Sequence, residues 1–331
     1  MNTEEIIIKD TEIEEIASFL DSALRPTKLS EYVGQESIKK VLQIVLGAAI
    51  ERGNPPEHIL LYGPPGLGKT TLANIIAKEL NTNMRATAGP ALTKVGDLAA
   101  ILTNLSPNDV LFIDEIHRIN KNIEEVLYPA MESGKLDIIV GKGPGARTIA
   151  LDLPPFTLIG ATTRIGLLTA PLRSRFHGGT YRLQFYTEDE LVTIIMANAK
   201  KLDIKINLEA ASYIARRARL TPRIANYLLK RVRDLAQIEK KDIDEEIAIR
   251  AIEMLGIDSL GLGENERQYL DILINKFAGG PTGLSTIASA MSEDEGTVED
   301  VLEPYLLQMG LIEKTMRGRE ATPKAYEHLQ S

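Results

Sequence analysis

His58-Ile-Leu-Leu-Tyr-Gly63-Pro-Pro-Gly66-Leu67-Gly68-Lys69-Thr70-Thr71 fits the pattern Gly-x-x-x-x-Gly-Lys-Ser/Thr, with an apolar strand-like run before it and a helical pattern over 70–80 after it. That order is what a phosphate-binding loop requires. Glycines let successive backbone N–H groups turn inward around phosphate oxygens, and the helix N-terminus that follows adds partial positive charge. Lys69 then reaches the β- and γ-phosphates, and the Thr70 hydroxyl becomes a ligand for Mg²⁺. The alternative, a glycine-rich turn before a buried helix, leaves the lysine without a purpose. The segment implies a bound nucleoside triphosphate.

Downstream, Val110-Leu-Phe-Ile-Asp114-Glu115 places an acidic pair at the C-terminal end of an apolar strand. Asp114 there suits the Mg²⁺ shell, and Glu115 suits orientation or deprotonation of an attacking water. A second apolar run, 156–163, ends in Thr163, whose hydroxyl can reach the same water. Fully apolar runs separated by helical patterns (37–52, 70–80, 95–104 and 123–133) read as buried parallel strands of an α/β sheet. Between 136 and 153 the rhythm breaks into a β-hairpin with a glycine-rich tip. Its Ile138, Ile139 and Val140 imply either a small core of the hairpin's own or a protruding apolar patch for a partner.

Beyond residue 186 strand patterns stop. Thr187-x-x-Glu190 is a capping box, and helical patterns at 208–218, 223–240 and 244–255 form a small all-helical domain. Three glycines in 256–263 mark a linker. Helices at 264–277, 284–291 and 297–309, then a short basic hairpin turning at Met316-Arg317-Gly318-Arg319, follow the order of a winged helix-turn-helix. The expected architecture is therefore α/β: a P-loop domain with a parallel sheet over 1–182 (hairpin 136–153 inserted), a helical lid over 183–255, and a winged-helix domain over 256–331.

Among 331 residues there is no cysteine, which excludes disulfide scaffolds, thiolate metal sites and cysteine nucleophiles. No apolar run approaches the ~18 residues of a membrane helix, and the acidic N-terminus lacks the basic and apolar regions of a signal peptide. A cytoplasmic protein that does not engage membranes is the expectation. A net charge of −8 argues against a uniformly basic coat, so contacts with DNA must be local. Without Trp, and with six Phe, stacking of single-stranded bases is disfavoured.

Gly63-Pro-Pro-Gly-Leu-Gly-Lys-Thr-Thr71, Leu111-Phe-Ile-Asp-Glu-Ile-His-Arg118 and Ile159-Gly-Ala-Thr-Thr-Arg164 resemble the AAA+ ATPases. With Leu172-Arg-Ser-Arg-Phe176, Thr221-Pro-Arg-Ile-Ala225, Asp300-Val-Leu-Glu-Pro-Tyr305 and Arg317-Gly-Arg319, the chain resembles the RuvB family of Holliday junction branch-migration motors from about residue 24 onward. The resemblance implies ATP and Mg²⁺ as cofactors. It also implies a homo-oligomeric, hexameric ring around duplex DNA, a RuvA-type junction-binding partner and a RuvC-type resolvase partner.

The same resemblance assigns residues. Leu24, Arg25, Tyr32 and Val33 help enclose adenine; Glu132, Ser133, Gly134 and Tyr186 border the nucleotide. Arg175 matches an arginine finger acting on a neighbour's nucleotide, and Arg223 a sensor within its own subunit. The hairpin matches the RuvA-contacting element, and Lys314, Arg317 and Arg319 match DNA-contacting positions of the wing. Lys314 stands where an arginine is more usual, keeping phosphate attraction without the bidentate fork. Met316 stands for a more usual proline, and His177-Gly-Gly departs from the family pattern after the finger. Two other readings are weighed. A clamp-loader-like or initiator-like nucleotide switch would end in a helical collar rather than a basic wing, and a protein unfoldase needs a pore-loop aromatic that 141–145 lacks.

Overall fold

A computed structural model describes residues 23–140 and 147–330, with the backbone alone at 138–140, 147, 148 and 330. The acidic N-terminal residues and the loop 141–145 singled out above lie outside the described residues. Nine strands are described: β1 Ile59–Tyr62, β2 Met84–Ala88, β3 Val110–Asp114, β4 Lys135–Val140, β5 Arg147–Asp152, β6 Thr157–Thr162, β7 Thr180–Arg182, β8 Ile312–Thr315 and β9 Gly318–Ala321.

Five of these form a parallel sheet in the order β2-β3-β6-β1-β7. The three central strands are buried along almost their whole length because both faces are covered. Their side chains divide by the period of two. Ile59, Leu61, Val110, Phe112, Ile159 and Ala161 enter one core. Leu60, Leu111, Ile113 and Leu158 enter the other, against the helices Val95–Thr103 and Lys121–Ser133. The first core does not end with the sheet. It runs on into the lid, where Leu191, Ile214, Leu228 and Ile247 join the same cluster. A shared core of this kind ties the lid's orientation to the sheet's.

The lid helices start where their caps dictate. Thr187 and Glu190 form the reciprocal capping box at the helix Glu188–Lys201 (3.2 and 2.8 Å), and Asn207 and Asp244 cap the helices Leu208–Arg217 and Glu245–Met254. A third core, around Tyr269, Leu273, Ile287 and Leu306, holds the C-terminal unit with its two-stranded wing β8-β9. Two short strands escape the sequence patterns. Edge strand β2 mixes exposed and half-buried residues rather than running apolar, and β7 spans three residues.

The His177-Gly-Gly departure also has a steric reason. A Cβ on Gly178 would stand 2.4 Å from the Glu57 carbonyl oxygen, and the Gly178 N–H donates to the His58 carbonyl at 2.9 Å. The loop presses its backbone against the lead-in to β1, which only glycine allows.

Candidate nucleotide site and DNA-facing wing

All five strands of the sheet run parallel, so their C-terminal ends share one edge, where ligands bind in such folds. The loop 63–68 leaves β1 there with Gly63, Gly66 and Gly68 at φ of 143, 81 and 93°. A Cβ on Gly63 would meet the Leu183 carbonyl oxygen at 2.8 Å, so the loop cannot carry a side chain at that point. Lys69 opens the helix Lys69–Glu79 and is buried at 7% exposure, its ammonium donating to the carbonyls of Gly63 (2.8 Å) and Pro64 (3.1 Å). Burial pulls its pKa below the ordinary lysine value, against the opposing pull of Glu115 and Asp114.

A cleft of about 360 Å³ opens here, lined by Gly66, Gly68, Lys69, Thr70, Thr71, Asp114 and Glu115 on one side and by Arg25 and Arg223 on another. Asp114 and Thr70 offer a carboxylate and a hydroxyl. That is a fitting pair for Mg²⁺, which takes one or two protein oxygens and fills its shell with water and phosphate oxygens. Glu115 is held at φ 45° with its carboxylate turned to the end of β6. Its Oε2 accepts from Thr163 Oγ1 at 3.2 Å and lies 3.2 Å from His117 Nδ1, which in turn is 2.8 Å from Thr162 Oγ1. Burial lowers the His117 pKa, favouring the neutral ring.

Behind the loop, the hydroxyls of Tyr32 and Tyr186 both reach the Leu67 carbonyl at 3.4 Å, and the Gly68 backbone packs against Tyr32. Burial pushes the Tyr186 phenol up to about 12. Leu24 is buried, its carbonyl accepting from Lys201 at 3.2 Å, and Val33 is half-buried. The Arg223 N–H reaches the Gly66 carbonyl at 3.4 Å, so the lid helix Pro222–Glu239 starts in contact with the phosphate loop.

Arg175 lies elsewhere. Glu132, Ser133, Gly134 and Arg175 do not line this cleft. The Arg175 guanidinium pairs with Glu132 at 2.9 Å, donates to the Pro171 carbonyl at 2.7 Å and lies 4.2 Å over the Tyr128 ring. Its Nε is buried without a hydrogen-bond partner.

Comparison with known proteins matches this geometry to one family along almost the whole chain. The P-loop domain of the Holliday junction DNA helicase RuvB matches residues 24–183, the RuvB AAA lid domain 186–258 and the RuvB C-terminal winged-helix domain 259–330. The chain belongs to the RuvB family. Among solved structures, a Thermotoga maritima RuvB described as a Holliday junction branch migration motor is 50% identical, with TM-score 0.86, covering 93% of this chain and 98% of that one. A mutant of Thermotoga maritima RuvB is likewise 50% identical, with TM-score 0.87, covering 92% and 98%.

On the RuvB winged-helix unit the three basic wing positions separate. Arg317 is exposed in the turn, and Lys314 is exposed with its ammonium 2.8 Å from Glu299. Arg319 corrects the sequence expectation. On β9 it points inward, 8% exposed, with Nε and Nη2 donating to Glu303 at 2.7 and 3.1 Å. It is a structural cation rather than an open phosphate contact. Two spans of the hairpin pair Leu136 with Leu151 and Ile138 with Ile149. The side chains of Ile138, Ile139 and Val140 lie outside the described residues, but Ile149 and Leu151 are exposed at 47% and 36%.

Sequence reasoning missed Asn226, Tyr227 and Lys230, which line the cleft beside Arg223. Their spacing of three and four residues along one helix face was the available signal. It also missed His117, visible only as part of Asp-Glu-Ile-His.

Proposed function

We propose that this chain is an ATP-driven motor that moves duplex DNA and drives branch migration of Holliday junctions. The reading is supported by one observation: a cleft that gathers Lys69, Thr70, Asp114, Glu115 and Arg223 stands on the same chain as a wing bearing exposed Lys314 and Arg317, in a member of the RuvB family. The helix-terminal loop and Lys69 bind the phosphates, and Glu115 takes a proton from water as that water attacks the γ-phosphorus. The bond from the γ-phosphorus to the bridging oxygen breaks and ADP leaves. Thr163 and His117 fix the Glu115 carboxylate for that transfer, and Arg223 couples the lid to the phosphates. Mg²⁺, held by Thr70 and Asp114 when bound, neutralises charge on the phosphate oxygens.

Arg175 suits action on a neighbouring subunit because it does not line its own cleft, which supports a closed ring of identical subunits, hexameric in this family's pattern. Its pairing with Glu132 then holds the guanidinium ready beside the interface. The functional units are 1–182 for hydrolysis, 183–255 for sensing nucleotide and 256–331 for DNA. We further propose a RuvA-type partner seated on the hairpin, supported by exposed Ile149 and Leu151, and a RuvC-type resolvase acting on the same junction.

ATP-dependent dissociation of a synthetic four-way junction, with and without a RuvA-type partner, tests the reading. The protein is expected to dissociate it with ATP, and Glu115→Gln to bind ATP while losing about 10²-fold or more in turnover. Retained hydrolysis in that variant would remove Glu115 from its role. Equal activity on a plain fork without a partner would point to a general helicase.

A further inference from the structure

Arg164 directly follows Thr163 and belongs to neither the phosphate cleft nor the wing, yet it touches the structure that supports both. Its backbone N–H donates to Thr162 Oγ1 at 3.0 Å. That hydroxyl lies 2.8 Å from His117 Nδ1, which is 3.2 Å from the Glu115 carboxylate. The side chain of Arg164 leaves the ATPase domain altogether. Its Nε reaches Asp300 Oδ1 at 2.6 Å, and Nη2 lies 3.6 Å from Glu299 Oε2, both in the winged-helix unit. Glu299 Oε1 in turn lies 2.8 Å from Lys314 Nζ and 3.6 Å from Arg319 Nη2.

These contacts form one polar chain from the water-orienting carboxylate to the wing. We propose that Arg164 is a positioning residue that couples the Glu115 strand end to DNA binding by the wing, acting through Glu299 and Asp300. The proposal rests on the motor reading above.

The chemistry of the cluster explains how a signal crosses it. Arg164, Lys314 and Arg319 share the carboxylates of Glu299, Asp300 and Glu303. Arg319 holds buried Glu303 at 2.7 and 3.1 Å and stands 3.6 Å from Glu299, so Glu299 has Lys314 as its near partner and Arg164 and Arg319 at longer range. When Lys314 turns to a DNA phosphate, Glu299 is released toward Arg164, and the pull falls on the backbone at 162–164. That backbone carries the hydroxyls that orient His117 and Glu115. The side chains of Arg164, Asp300 and Glu299 are 29, 32 and 36% exposed, so the link is weak enough to break and re-form within a cycle, unlike a fully buried pair.

The test uses the full chain and its RuvA-type partner, measuring hydrolysis without DNA, hydrolysis with duplex and junctions dissociated per ATP. Asp300→Ala is expected to keep DNA-free hydrolysis within about twofold while stimulation by duplex and yield per ATP fall about tenfold. Arg164→Asp alone should lose coupling in the same way, and adding Asp300→Arg to it should restore at least about threefold of the loss, as a direct pair requires. Parent-like stimulation in Asp300→Ala overturns the proposal, as does a double variant no better than Arg164→Asp. A parent protein whose hydrolysis ignores duplex would instead overturn the motor reading itself, so the two failures are distinguishable.

Discussion

At the tip of the wing Arg317 is exposed, while Arg319 donates two hydrogen bonds to Glu303, itself 1% exposed. Tyr269 completes this buried group, its hydroxyl 3.1 Å from the same carboxylate, and burial with Glu303 nearby pushes the phenol's pKa up. Removing one partner of such a pair leaves an uncompensated charge in the core, which costs about 3–5 kcal/mol. Arg319→Ala is therefore expected to lower the opening free energy of amides near Leu306 and Leu273 by about that amount in hydrogen exchange. Arg317→Ala should leave exchange unchanged and weaken duplex binding uniformly across sequences, with the salt slope reduced by about one. Loss of DNA binding in Arg319→Ala without any change in exchange would refute its structural role. Sequence could not separate the two arginines, because the separation depends on Glu303, a residue brought beside β9 by the packing of a helix. Lys69, Thr70, Asp114 and Glu115 were readable because loop and strand-end positions are set locally, by motif and by the apolar run before each.

The hairpin β4-β5 is an element of its own, paired only with itself and not with the five-stranded sheet. Leu136 is its anchor in the core, whereas Ile149 and Leu151 are exposed. Replacing 138–149 by a two-glycine turn keeps the buried anchor Leu136 and removes the exposed Ile149, so thermal stability and DNA-free hydrolysis are expected to change by less than about twofold in rate and about 1 kcal/mol in stability. Stimulation of branch migration by a RuvA-type partner should disappear. Undiminished stimulation would free the hairpin of the partner role. The glycine-rich tip and the turn in hydrophobic period made this element visible in sequence, while β2 and β7 were not. A polar edge strand and a three-residue strand lack the apolar run on which such recognition depends. The helix Pro323–Gln330 also departs from the sequence expectation, because it follows the wing that ends the winged-helix order of elements.

Across the molecule, charge and core are distributed as a shared site demands. The lid and one face of the sheet form one core, so a nucleotide bound as proposed between Lys69 and Arg223 would bear on the whole ATPase body. Arg175 sits outside that cleft, paired with Glu132 and stacked on Tyr128. Its Nε is buried without a hydrogen-bond partner among the described residues, and the phosphate acceptor that the family resemblance assigns to its guanidinium is not in its own cleft. If the acceptor is a neighbour's γ-phosphate, each productive site needs the phosphate loop of one subunit and the arginine of the next. A Lys69→Ala subunit keeps its arginine and loses its loop; an Arg175→Ala subunit does the reverse. Each variant alone should be nearly inactive, since an arginine finger contributes about 10³–10⁵ in rate. In an equal mixture, random assembly places an intact loop against an intact arginine at about a quarter of interfaces, so hydrolysis should recover to at most about a quarter of the parent rate. Recovery must also track the mixing ratio, peaking when the two variants are equal. A mixture that assembles, as judged by light scattering, yet stays as inactive as its components would place Arg175 in its own subunit's chemistry instead.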